Sequence, residues 1–136
     1  MRSVFEYVIV RVVPHVEREE FVNAGVVVYC RAKDALFARI ELDEARLRAL
    51  GPVDLELVRT HLAAIEPVCR GDREAGPVAR LSLAERFSWL VSPRSTMIQT
   101  SPPHSGVADD LEAAAERIIA KVVRALPAPR APDEAG

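Results

Sequence analysis

Hydrophobic and polar positions in the first third of the chain follow the patterns of β-strands. Residues 4–13 and 24–31 are runs rich in β-branched side chains, and residues 35–42 alternate between apolar even positions and Phe37, Arg39 and Glu41. Gly25 at the entrance of the second run indicates a bulge or the close approach of another backbone. The polar links between the runs are short, so the three segments predict an antiparallel meander.

Helical spacing replaces this pattern from residue 43 onward. Apolar residues recur every three or four positions after each of four helix-capping signals: Asp43, Asp54, the capping box from Ser82 to Glu85, and Asp109 or Asp110. Pro67 is expected to kink or fray the last turn of the second helix. Residues 96–100 predict a further short strand, and residues 101–106 an irregular segment.

These elements predict an α+β fold, with an antiparallel meander sheet of three to four strands and helices packed on one face. We expect the helices on one face of the sheet only, because one side of the third strand is polar and the apolar stripes of the helices must pack against an apolar face. The length suits one domain, which we assign to residues 1–125. Residues 126–136 contain three prolines and no spaced apolar residues, so a disordered tail is predicted.

Composition narrows the function classes. The net charge of −2 gives no general attraction to nucleic acid. Cys30 and Cys69 lie outside metal-ligand spacings and are expected to be buried thiols, so neither a metal nor another cofactor is predicted. No export signal and no apolar run of membrane-spanning length is present, which favours a cytoplasmic protein that does not enter membranes.

Candidate binding residues are polar side chains at strand ends and in the segment from residue 94 to 106. Arg11, in mid-strand, either extends to a sheet edge or pairs with a carboxylate such as Glu19 or Glu20 beside a pocket, and we expect Arg11 and the segment 19–23 to be neighbours. Arg94 and Ser95 could contact an anion or phosphoprotein, or serve only as turn residues. No nucleophile is seen with its base, so no catalytic residue is assigned. The full candidate set is Arg11, Glu19, Glu20, Asn23, Arg94, Ser95, Gln99 and His104.

Three blocks of sequence occur in an order that resembles a known family. They are Tyr7 to Pro14, Glu20 to Val28, and Phe87 to Ser95 continuing through Ser101 to Gly106. Over about residues 4–125 the chain is similar to a bacterial family catalogued as domain of unknown function 3037. The resemblance implies a small cytoplasmic bacterial protein without established activity, whose gene often lies next to those for HipA-like kinases. It names no catalytic residue.

Two function classes remain open at this point. One is a non-enzymatic protein-interaction module, a possible partner of a HipA-like kinase, with the segment 94–106 as its contact surface. The alternative is a small-ligand or phosphoryl-handling enzyme with a polar cleft around Arg11, Asn23, Arg94, Gln99 and His104. A deep pocket lined by these five residues would favour the enzyme, whereas their dispersal would favour the module. The ligand and the oligomeric state stay undetermined.

Overall fold

The computed structural model of the chain describes residues 1–92 and 97–129. Its centre is a five-stranded antiparallel sheet in the order β3-β2-β1-β4, and β5 pairs with the same edge of β1 as β4. The predicted α+β class and the antiparallel meander of the first three strands are confirmed. The strands are β1 (Ser3–Val12), β2 (Val22–Cys30), β3 (Ala35–Ile40), β4 (Ile98–Thr100) and β5 (His104–Ala108).

Five α-helices occupy the described residues, and four of them begin at predicted caps. The carboxylates of Asp43, Asp54 and Asp110 each accept a hydrogen bond from a backbone N–H in the first turn, and Ser82 and Glu85 form the capping box. Short 3₁₀ turns lie at Val16–Arg18, Arg73–Ala75 and Pro77–Arg80. The helices are α1 (Glu44–Ala49), α2 (Leu55–Ala63), α3 (Ile65–Arg70), α4 (Leu83–Val91) and α5 (Leu111–Val122).

The helices cover both faces of the sheet, which corrects one part of the prediction. Helices α1 to α4 bury Val8, Val10 and Val12 of β1 on the first face, as expected. Helix α5 packs on the second face against Val26 and Val28 of β2. A central strand with apolar side chains on both faces must be covered on both faces. The unbroken apolar run at residues 26–28 is the sequence pattern that indicates such a strand. The expectation of a single helical face therefore holds for four helices and fails for α5.

A bulge at the entrance of β2 sets which side chains face each core. The β1–β2 register passes from Val10 opposite Gly25 to Arg11 opposite Asn23, so Ala24 is the extra residue. A Cβ at Gly25 would lie 2.5 Å from the carbonyl oxygen of Arg39. Both features predicted from this glycine, the bulge and the close approach of a backbone, are confirmed.

The segment after β4 departs from its predicted irregular form. Ser101 extends the pairing, because its N–H donates to the Ile9 carbonyl and its hydroxyl accepts from the Ile9 N–H, both at 2.8 Å. After Pro102 and Pro103 the chain pairs again with β1 as β5. The two prolines lie in the link between β4 and β5, outside both strands, where the pairing with β1 does not need their missing N–H groups.

Two predicted features fall wholly or partly outside the described residues. Arg94 and Ser95 lie in the gap at residues 93–96, so their assignment as binding residues stays a prediction. Of the predicted tail, residues 126–129 are described; they are exposed and belong to no helix or strand. Residues 130–136 lie beyond the described part of the chain.

Candidate functional site

A cleft of about 1040 Å³ opens on the first face, between the sheet and helices α2, α3 and α4. Its floor is apolar and includes Val10, Val27, Val68 and Leu90, all buried in the first core. Its polar rim consists of His61, Arg70, Asp72, Glu74, Gln99 and Thr100. An apolar floor with few polar groups around it is the usual composition of a binding site.

Pro67 gives this cleft one of its walls. The helix predicted to continue from Asp54 breaks at Ala64, which ends α2 and begins α3. Pro67 then stands in the first turn of α3, where a backbone N–H has no partner within the helix and its loss costs little. Of the two predicted effects of Pro67, a kink or fraying, the structure shows an interruption of the helix at Ala64, where the backbone stays right-handed. Ala64, Ile65 and Pro67 line the cleft at this joint.

The charged rim is largely paired within itself. The Arg70 guanidinium lies 3.0 Å from the Asp72 carboxylate and 3.7 Å from that of Glu66, and all three side chains are half-exposed. At the other side of the cleft Trp89, the single tryptophan of the chain, is 37% exposed. The border of the cleft thus offers both an aromatic surface and a neutralised charge pair.

Arg86 secures the helix that forms the cleft wall, and the sequence analysis did not identify it. Its guanidinium is nine-tenths buried, and Nη1 donates to the carbonyls of Val68 and Cys69 at 3.0 and 2.9 Å. These carbonyls belong to the last turn of α3, where a positive charge opposes the negative end of the helix dipole. A Cβ at Gly71 would lie 2.8 Å from the same nitrogen. The spacing of residues in α4 could have indicated its burial, because Arg86 falls on the apolar stripe of this helix together with Phe87 and Leu90.

The cysteine nearest the cleft is a poor nucleophile. Burial raises the pKa of the Cys69 thiol to about 12, and the nearby Arg86 charge offsets only part of that effect. The thiol is therefore protonated at neutral pH, and the thiolate is the reactive form. Cys30 is buried too, and its sulfur lies 3.4 Å from the Val4 carbonyl oxygen. Both cysteines are the buried thiols expected from the sequence.

Two of the predicted binding residues, Arg11 and Asn23, form a row on the opposite face of the sheet. In the strand register Arg11 lies between Asn23 of β2 and Gln99 of β4. Asn23 donates from Nδ2 to the Val122 carbonyl at 2.9 Å, which ties the end of α5 to the sheet. The predicted proximity of Arg11 to the segment 19–23 is confirmed.

The partner of Arg11 is an aromatic ring, so the carboxylate pairing that was one of its two predicted alternatives is wrong. Its guanidinium carbon lies 4.3 Å from the centre of the Phe21 ring, a cation–π contact. Glu20 pairs instead with Arg18 at 2.5 Å, and Glu19 is exposed in a left-handed turn with φ of 56°. Within the described part of the chain, the Arg11 Nε and the Asn23 Oδ1 are buried without a hydrogen-bond partner.

One family model matches this chain, over residues 7–123. The chain belongs to the family described as protein of unknown function, DUF3037. No curated protein and no solved structure matches it. The matched DUF3037 region runs from Tyr7 in β1 to the end of α5, so the cleft and the Arg11 row both lie within the family domain.

The remaining candidate of this DUF3037 chain, His104, lies at the edge of the sheet. Its ring is stacked on Tyr7 with 5.1 Å between centroids, and the side chain is exposed. Among residues 1–92 and 97–129, no group of His, Cys, Asp and Glu side chains has a metal-binding arrangement. No helix in those residues is long and apolar enough to cross a membrane.

Proposed function

We propose that this domain is a non-enzymatic module of the bacterial cytoplasm that binds another protein by taking an apolar segment of that protein into the cleft. The cleft itself is the observation that carries the proposal. Its floor is formed by buried valine and leucine side chains, while Trp89 stands partly exposed at its border. Tryptophan is enriched among the residues that dominate protein–protein binding energy, because a large ring excludes water from its neighbours.

Of the segment 94–106 expected to contact a partner, Ile98 to Thr100 of β4 line this cleft. The end of α4 and the following Ser92 line it too. Because β4 and β5 are both paired with β1, the chain from residue 98 to 108 is held by the sheet. A surface that is already ordered loses little conformational entropy when a partner docks, and this favours binding.

The distribution of polar residues supports binding over catalysis. The enzyme alternative needs Arg11, Asn23, Arg94, Gln99 and His104 around one cleft. Of the described four, only Gln99 lines the cleft, while Arg11 and Asn23 lie on the second face and His104 lies at the sheet edge. Cys69, the thiol closest to the cleft floor, is kept protonated by its raised pKa.

A HipA-like kinase is the partner that we propose for this module, and that choice rests on the family resemblance. The chemistry required of the partner is an exposed apolar side chain next to polar groups that match the rim. Serine and threonine residues near the cleft, such as Ser92 and Thr100, would then lie close to a kinase.

Two neighbouring alanines provide a matched test. Ala64 is exposed and lines the cleft, whereas Ala63 is exposed one residue earlier and lies outside it. We expect Ala64→Arg to weaken binding of the purified kinase at least about tenfold, because a long charged side chain would enter the apolar cleft. Ala63→Arg should bind as the unchanged protein does. Titration calorimetry gives the affinities, and thermal unfolding verifies that both variants are folded.

The same experiment distinguishes the ways in which the proposal could fail. A kinase that binds the Ala64→Arg variant as tightly as the unchanged protein would exclude the cleft as the contact surface. If the kinase binds neither the unchanged protein nor either variant, the kinase is not the partner. Turnover of a small substrate by the unchanged domain, lost in Ala64→Arg, would restore the enzyme alternative.

A further inference from the structure

The free edge of β3 presents backbone groups that nothing in the described chain satisfies. The Glu41 N–H donates to the Ala24 carbonyl at 2.8 Å, and Ile40 lies opposite Gly25. In an antiparallel ladder the backbone N–H and C=O groups of successive residues point to alternate sides of the strand. The backbone groups of Phe37 and Arg39 therefore bond to β2. The N–H and C=O groups of Leu36, Ala38 and Ile40 therefore point away from the sheet. Those groups have no hydrogen-bond partner among residues 1–92 and 97–129.

The two edges of the sheet differ in how they are protected. On the far side, β4 and β5 are short strands separated by Pro102 and Pro103, and prolines and short length both hinder pairing with another strand. Strand β3 has six residues and contains no proline, glycine or lysine. Its one charged residue, Arg39, is bonded to Glu112 of α5 on the second face and does not shield the edge. The residues of β3 itself thus place no obstacle to strand pairing at this edge.

We propose that β3 pairs with β3 of a second copy of this chain, antiparallel and centred on Ala38. In that register each Leu36 would lie opposite Ile40 of the second copy, and each Phe37 opposite Arg39 of the second copy. The first pair is apolar, and the second places the Phe37 ring beside the aliphatic stem of Arg39, whose guanidinium keeps its Glu112 partner; apolar cross-strand contacts of both kinds stabilise adjacent strands. Every outward N–H and C=O of the three edge residues would then find a partner in the other copy.

Self-complementarity is the reason for choosing a second copy over an unrelated strand. The strand sequence Leu-Phe-Ala-Arg-Ile is symmetric about its central alanine in one respect: apolar side chains stand at both ends, and an aromatic ring would face the aliphatic stem of an arginine. A two-fold interface requires this symmetry, because the axis relates the copies by rotation: if one residue contacts a second residue of the other copy, the second also contacts the first. A six-residue edge is a small contact, so we expect a dissociation constant on the order of micromolar or weaker.

This dimer is independent of the proposed partner binding. The cleft is bordered by β4 and the end of α4, whereas β3 forms the opposite edge of the sheet. A second copy on β3 would leave β4 exposed.

Substitution of Ala38 tests the edge with little change to the domain itself. Its N–H points outward, so Ala38→Pro removes no hydrogen bond within the chain, and Phe37 before it already has the extended backbone that a following proline requires. Ala38→Ser keeps the N–H and serves as the matched control. Sedimentation equilibrium from about 1 µM to about 500 µM should show a dimer for the unchanged chain and for Ala38→Ser. Ala38→Pro should raise the dissociation constant at least about tenfold, since both copies lose a central hydrogen bond.

Hydrogen exchange on the unchanged chain provides a second test that needs no variant. The amides of Leu36, Ala38 and Ile40 should exchange rapidly in dilute solution and slow down as concentration rises. The amides of Phe37 and Arg39 are bonded to β2 and should stay protected throughout. A chain that remains monomeric across the whole range overturns the proposal. So does a dimer in which Ala38→Pro binds as tightly as Ala38→Ser, or in which the three edge amides gain no protection.

Discussion

Arginine side chains in this protein serve different structural purposes according to their burial. Arg39 and Arg124 form ion pairs with glutamates on exposed surface, and such pairs contribute little to stability because water and salt screen them. Arg11 is half-buried against the Phe21 ring. Arg86 is nine-tenths buried and replaces water at the carbonyl end of α3. The contribution of each arginine therefore follows from its contacts and burial.

Arg86→Ala should reduce the free energy of unfolding by about 2 kcal/mol, because it removes the Arg86 donor from the buried Cys69 carbonyl and one of the two donors of the Val68 carbonyl, which keeps the Gly71 N–H. Arg80→Ala is the control, since Arg80 is exposed and its loss should change stability by less than about 0.5 kcal/mol. Urea denaturation of the two variants measures both values. Equal stability of the two would show that Arg86 does not secure α3.

Helix α5 is the element whose role was hardest to infer from local sequence. Its buried side chains, Leu111, Ala114, Ala115 and Ile119, are four of the ten buried residues of the second core. Asn23 of β2 and Arg46 of α1 bond to the carbonyls of Val122 and Val123 at its end, at 2.9 Å each. The helix is therefore attached to the sheet along its stripe and at its C-terminus.

Two truncations separate the contribution of α5 from that of the following tail. Removal of residues 126–136 should leave the melting temperature unchanged, since the described part of that segment is exposed and outside any helix or strand. Removal of residues 111–136 exposes Phe5, Val26 and Val28 to water, so we expect no cooperative unfolding transition and aggregation on purification. Calorimetry and light scattering measure the two outcomes. A stable, soluble product of the longer truncation would contradict the role given to α5.

At the scale of the whole molecule, β2 joins the two cores into one cooperative unit. Val27 faces the first core, while its neighbours Val26 and Val28 face the second. Any opening of α5 therefore weakens the strand against which α3 and α4 pack. Such shared burial is the physical basis for two-state unfolding of a domain of this size.

Val28→Ala tests this coupling across the sheet. Val28 is completely buried in the second core, and its truncation should cost about 2 kcal/mol. Trp89 lies on the first face, so its fluorescence reports on the other core. The denaturation midpoints from tryptophan fluorescence and from far-ultraviolet circular dichroism should shift by the same amount. Separate midpoints would show that the two cores unfold independently.

Local interactions were predictable from the sequence by itself. The caps at Asp43, Asp54 and Ser82, the strands of the meander and the bulge at Gly25 all depend on residues within a few positions of one another. Backbone preferences and side-chain periodicity act over that range, so a single sequence contains them. The α+β class followed from the same signals.

Only the tertiary structure decided the features that depend on distant residues. Pro102, Pro103 and Gly106 oppose a strand locally, yet β5 forms because β1 offers a free edge and the Phe5 ring occupies the space that a Cβ at Gly106 would fill, 2.5 Å away. The face chosen by α5, the burial of Arg86 and the contact of Arg11 with Phe21 likewise depend on which surfaces remain uncovered once the sheet has assembled. The cleft arises where three helices meet the sheet, and no single stretch of sequence contains that geometry.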